Sequence, residues 1–99
     1  MIVIAGKIQI RPERRAEAVR AALAMVEATR RESGCVSYAF YGDLVDPGTF
    51  FIFEEWEDDA ALAAHFQTDH MARFQEQAAA LVAAAPAIKR YVVESATAM

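Results

Sequence analysis

An α+β domain of the ferredoxin-like, split β-α-β class is the fold this sequence predicts, on three observations. The chain opens with a period-two apolar run from Ile2 to Ile10, and two β-rich runs flank an Asp-Pro-Gly turn near its middle. Two alanine-rich segments with helical periodicity fill the remaining intervals before a short β-branched end. The order β-α-β-β-α-β folds as a four-stranded antiparallel sheet with its helices on one face.

In IVIAGKIQI, the residues Ile2, Ile4, Gly6, Ile8 and Ile10 share one side and Val3, Ala5, Lys7 and Gln9 the other, as a strand requires. Pro12 suits the first turn of the next element, and Val19, Ala22, Leu23 and Val26 recur at helical spacing. Gly34, behind the basic pair Arg30 and Arg31, is the expected stop, so the helix runs about five turns. CVSYAFYGDL and GTFFIFEEWE around VDPG form an antiparallel hairpin. Asp58 or Asp59 caps a short helix carrying Leu62, His65 and Phe66. Thr68 then caps a longer one with His70 or Met71, Phe74, Ala78, Leu81 and Val82 in a stripe. Pro86 stops it, and AIKRYVVES is the last strand.

No linker or shift of composition divides residues 1–99, so one domain is expected. Its 56% hydrophobic content exceeds the soluble norm. In the hairpin both alternating sets are apolar: Val36, Tyr38 and Phe40 against Cys35, Ala39 and Tyr41, then Phe51 and Phe53 against Phe50, Ile52 and Trp56. A sheet apolar on both sides needs cover on both. Covering the second face, several hundred Å² at about 25 cal/mol per Å², is worth on the order of 10 kcal/mol before association costs, and a homodimer closed through the sheets supplies that cover.

A net charge of −4 with scattered basic residues argues against nucleic acid. The apolar runs are too short for a bilayer span, the N-terminus lacks a signal-peptide pattern, and a cytoplasmic location is expected. A single cysteine, Cys35, excludes an internal disulfide and fits a reducing compartment.

For chemistry, imidazole titrates nearest neutrality, so His65 and His70 are the first candidates for proton transfer. Their structural alternative is a helix-end histidine bonded to a carbonyl or water. Five residues apart on one helix, they fall well off a common side, and only a helix break near Thr68 would bring them and Glu54 together on a metal; no metal is expected. Glu54 and Trp56 share the apolar side of Ile52. The carboxylate there needs a partner, with Arg90 or Lys89 as structural options, and the indole either packs on the second helix or walls a site for a flat ligand. Tyr38 and Tyr41 present hydroxyls to opposite faces. Cys35 has no neighbour in sequence that would activate it. Phosphate loop, nucleophile elbow and dinucleotide fingerprint are all absent from the sequence.

Three segments together, ESGCVSY (Glu32 to Tyr38), EEW (Glu54 to Trp56) and LAAHFQTDHMARF (Leu62 to Phe74), resemble the antibiotic biosynthesis monooxygenase (ABM) domain family, and the similarity runs along essentially the whole chain. The resemblance implies a dimeric α+β barrel with a pocket between sheet and helices. It also implies a cofactor-independent monooxygenase that oxidises a flat aromatic quinol or anthrone with O2 after proton abstraction. Carried onto this chain, Trp56, His65, His70 and Phe74 match motif residues near the pocket and Tyr38 the aromatic after Gly-Cys. His65 or His70 is then the base, with Glu54 orienting a histidine or the substrate hydroxyl and Trp56, Tyr38 and Phe74 as substrate-binding walls. Haem is disfavoured, because the histidine and tryptophan of the haem-degrading branch have no counterparts here. Two other functions fit the scaffold: an isomerase of a small phosphorylated or lactone-like metabolite, which needs Arg73 or Lys89 turned inward, and a non-catalytic dimeric binder of an apolar small molecule.

Overall fold

The computed structural model describes every residue, Met1–Met99. Its elements are β1 (Ile2–Gln9), a 3-10 turn (Pro12–Arg14), α1 (Arg15–Thr29), β2 (Cys35–Gly42), β3 (Thr49–Trp56), α2 (Asp59–His65), α3 (Asp69–Leu81) and β4 (Ala87–Val92). The four strands form one sheet in the order β2-β3-β1-β4, with every pairing antiparallel. This is the ferredoxin-like α+β arrangement. No helix is long and apolar enough to cross a membrane.

Register places the core. Ile8 pairs with Phe50, Gly6 with Ile52 and Ile2 with Trp56, so one face of the two central strands carries Ile2, Ile8, Phe50, Ile52 and Trp56, all buried. The helices lie against that face. Between the hairpin strands, Asp43 Oδ1 accepts the N–H groups of Val45 and Asp46 at 2.7 and 2.9 Å, and Asp46 accepts from Gly48 and Thr49. These bonds use the local turn-forming habit of aspartate and pull the Asp43 carboxyl below its usual range.

Two expectations shift. Helix α1 is an α-helix of 15 residues behind a Pro-initiated 3-10 turn, and its buried positions are Ala18, Ala21, Ala22, Met25 and Thr29, while Leu23 points outward at 62% exposure. The helix answers to α3 as well as to the sheet, and alanines on that side let the two helices approach. In β2 a bulge between Cys35 and Ser37 puts Cys35 opposite Trp56 and Ser37 opposite Glu55, so Cys35 joins the Tyr38 side. The opposite face of the sheet carries half-buried Val3, Ala5, Ala39 and Phe53 with exposed Phe51, Tyr41 and Tyr91, and no element of this chain covers it. Along β4 every residue is exposed.

Candidate active site

Three local features turn the loop after α1 and the two short helices toward one another. Gly34 has φ +85°, a conformation side chains disfavour, and a Cβ there would stand 2.5 Å from the Cβ of Ala61 in α2. The chain therefore closes directly on α2, with the Gly34 carbonyl accepting the Glu57 N–H at 2.9 Å. Asp58 caps α2 through the Ala61 N–H, as the sequence suggests. Thr68 does two jobs: its hydroxyl donates to the His65 carbonyl at 2.7 Å, ending α2, and accepts the Met71 N–H at 3.2 Å, starting α3. On an unbroken helix, side chains five residues apart point roughly 140° apart. The Thr68 break removes that separation.

Both imidazoles consequently meet a carboxylate that sequence reasoning did not select. Glu32 Oε2 lies 2.7 Å from His65 Nδ1 and 2.7 Å from His70 Nε2. An ionised carboxylate only accepts, so both nitrogens donate and His65 carries its proton on Nδ1. Its Nε2 is left with a lone pair, fully buried and without a hydrogen-bond partner. The ring is sandwiched among Trp56, at 4.8 Å between centroids, Tyr38 at 5.7 Å and His70 at 6.0 Å. His65 is 1% exposed and His70 23%. An imidazole held through one nitrogen by a carboxylate, with the other nitrogen free, has the geometry that general-base chemistry requires.

Glu54, expected to orient a histidine, has another contact. Its Oε1 accepts the Trp56 Nε1–H at 2.9 Å, and the hydrogen bonds to the histidines belong to Glu32. Strand alternation explains this, because residues 54 and 56 lie side by side on one face while the helix junction hangs over the loop that bears Glu32. Burial pushes the Glu54 carboxyl up to about 7, the indole N–H opposing and the Glu32 charge adding to the rise. Arg90, offered as its ion-pair partner, pairs with Asp59 instead, and Lys89 is exposed. Tyr38, 2% exposed and also beside Glu54, has its hydroxyl pushed well above the ordinary phenol range by burial. Burial likewise raises the Cys35 thiol, which speaks for a packing role over a nucleophilic one. Arg73 is exposed and does not line the apolar cavity under α1 and α3, so it supplies no basic anchor there.

Beside this cluster, under α1 and α3, lies a cavity of ≈140 Å³ whose walls include Ile8, Ile10, Phe50, Phe74 and Leu81, with Gln75 supplying the one polar side chain. The imidazoles do not border it. Phe40 and Phe74, rings 5.9 Å apart, stand at its end, and Phe40 touches Tyr38 edge-on at 5.8 Å. The chain of rings Phe74, Phe40, Tyr38, His65 joins cavity to base.

Glu32, His65 and His70 are also the one cluster in the chain with three metal-ligating atoms together, none more than 4.8 Å from another. Glu32 escaped the sequence analysis because it sits in a loop with no period. The only signal was its place in the ESGCVSY segment.

Comparison with known proteins agrees with the fold. The family model described as antibiotic biosynthesis monooxygenase matches residues 1–77. The Synechocystis protein sll1783 is 38% identical over 93% of this chain, which spans 63% of that relative's length. YcnE of Bacillus subtilis, provisionally named a monooxygenase, is 32% identical over 85% of this chain and 88% of its own. A crystal structure from Deinococcus radiodurans, described provisionally as an antibiotic biosynthesis monooxygenase, superposes with a TM-score of 0.91 at 26% identity, covering 100% of this chain and 98% of that one. With the family model spanning most of the sequence and the same fold in the Deinococcus radiodurans structure, the chain belongs to the antibiotic biosynthesis monooxygenase family.

Proposed function

We propose that the protein is a cofactor-independent monooxygenase that oxidises a flat, apolar quinol with O2. The observation that carries this reading is the buried, unpartnered Nε2 of His65, with Nδ1 held by Glu32. The base takes the proton of a ring hydroxyl. The electron-rich quinolate passes one electron to O2, and the radical pair joins through a new C–O bond at the adjacent ring carbon. Loss of water from the resulting hydroperoxide leaves a hydroxyquinone, so one oxygen atom enters the product and the other leaves as water. The substrate supplies all four electrons, and no further reductant is needed. The substrate ring reaches His65 Nε2 from the cavity past Phe40 and Tyr38, and the packing of Trp56 and Tyr38 around His65 excludes water. Phe74, half-buried at the end of the cavity, turns aside to admit the ring.

Size narrows the substrate. An apolar cavity of roughly 150 Å³ takes one benzene ring, so the ≈140 Å³ here favours a one-ring quinol over a three-ring anthrone. Two copies are proposed to pair through the uncovered sheet face, where Phe51, Tyr41 and Tyr91 are 36%, 57% and 46% exposed. Sedimentation as a lone subunit would remove that part. For the activity, chelator-treated protein with a reduced quinone in an oxygen electrode is expected to take up O2 above the protein-free rate. His65→Gln is expected to lower that rate by about 10²–10⁴-fold. Uptake equal to the protein-free control ends the proposal.

A further inference from the structure

We infer that Glu32, His65 and His70 also form a binding site for one first-row divalent ion such as zinc, and that the ion switches off the base. The inference goes beyond the quinol reading in its first half and rests on it only in its second.

The three side chains come from three separate places, the loop before β2, the end of α2 and the first turn of α3, and converge on one point. A tetrahedral ion with ligands at about 2.0–2.2 Å holds them roughly 3.3 Å from one another. Here the two nitrogen–oxygen separations are 2.7 Å and no pair exceeds 4.8 Å, so the ligand atoms need to shift by about an ångström or less. Side-chain rotation supplies that. Two imidazoles and one carboxylate select zinc, cobalt or nickel over magnesium or calcium, which take oxygen ligands. The Glu32 and His70 side chains, 13% and 23% exposed, open the approach from solvent and leave a fourth position for water.

Binding changes tautomers without changing the proton count. To ligate, His65 Nδ1 and His70 Nε2 each give up their proton to the other nitrogen of the same ring. The His65 proton then sits on Nε2, the atom whose lone pair serves as the base, so ion binding and proton abstraction exclude each other. That Nε2–H has no buried acceptor. A ligating histidine usually has such an outer partner, and its lack weakens a site by roughly 10–100-fold, so affinity is expected well short of a structural zinc site.

Cobalt(II) titrated into chelator-treated protein reads the site directly. The expected result is one equivalent bound with the strong visible bands of a four- or five-coordinate ion, displaced by Zn2+, and at least about tenfold weaker binding in His70→Gln and in Glu32→Gln. Only the faint bands of aqueous cobalt, or unchanged binding in both variants, overturns the site. Should either variant fail to fold, ring-nitrogen NMR of the unmodified protein still decides: Zn2+ must move the His65 proton from Nδ1 to Nε2, and an unmoved proton overturns the site. Zn2+ must also suppress oxygen uptake at least about tenfold if the two states exclude each other, and full uptake with the ion bound overturns that half. The cobalt and NMR readings use no substrate, so failure of the quinol reading leaves them intact, and their failure leaves the quinol reading standing.

Discussion

One layer between helices and sheet holds two unlike ends. Under α1 and α3 it is an apolar hollow walled by Ile8, Phe50 and Leu81, with regular strands below and regular helix above. Under α2 it is a tight polar knot, with Glu32, His65, Glu54 and Trp56 in contact or one ring apart. At the knot the backbone is irregular everywhere: Gly34 takes a positive φ, β2 bulges before Ser37, and Thr68 cuts one helix into two. Regular periodicity suffices to line a hollow with aliphatic groups. Bringing polar side chains from distant positions onto one carboxylate takes breaks in periodicity.

The largest test of this contrast sets one anchor from each end against the other. Trp56→Ala empties a fully enclosed site and leaves Glu54 without its donor, and is expected to cost about 3–5 kcal/mol in urea unfolding. Leu81→Ala enlarges a hollow that already exists and is expected to cost about 2–3 kcal/mol, at the low end for such a change. Equal losses would break the distinction between a packed knot and a loose hollow.

The next effect is electrostatic and confined to the knot. Glu54 ionises near 4.5 in a free chain and near about 7 in the fold, so between those values the native state keeps a proton that the unfolded chain has released. Stability therefore falls as pH rises through that window and levels off above it, a drop on the order of 3 kcal/mol. Glu54→Gln keeps an acceptor for the Trp56 indole and has nothing to ionise. Unfolding curves of the two proteins are expected to diverge from about pH 4.5 to about 7, with the variant the more stable at the upper end. A difference that ignores pH would place Glu54 in a wetter setting than its 7% exposure indicates.

The smallest effect on stability falls on the break itself. Thr68→Val removes a cap and the tie to the His65 carbonyl, with an expected loss of about 1 kcal/mol in thermal or urea unfolding. It should also free His70 from Glu32, visible as loss of the paired ring signals by NMR. If His70 stays on Glu32 in this variant, the helix break is not what brings the two histidines together.

Much of the frame was readable along the chain because its causes are local. Period two marked the first strand, β-rich composition marked the other three, Asp-Pro-Gly marked the hairpin, and Asp58 and Thr68 marked their caps through the short-range bonds that their side chains form. The same logic misplaced the α1 stripe, since Leu23 and Ala18 differ by what lies across from them and not by their spacing. It also assigned Cys35 to the wrong alternating set, because one bulged residue reverses the side on which every earlier residue points.

By itself, the sequence determined the β-α-β-β-α-β order, the buried side of β3 with Trp56 and Glu54, and the histidines as the first candidates for proton transfer near neutrality. The tertiary structure alone decided that Glu32 is their partner, that His65 is sealed and His70 partly open, and that the apolar hollow ends at Phe40 and Phe74, with Tyr38 between it and His65. Hydrogen-bonding habits and periodicity act over a turn or a strand and so are written locally. A carboxylate 33 residues from one imidazole and 38 from the other meets them only through the packing of the whole chain.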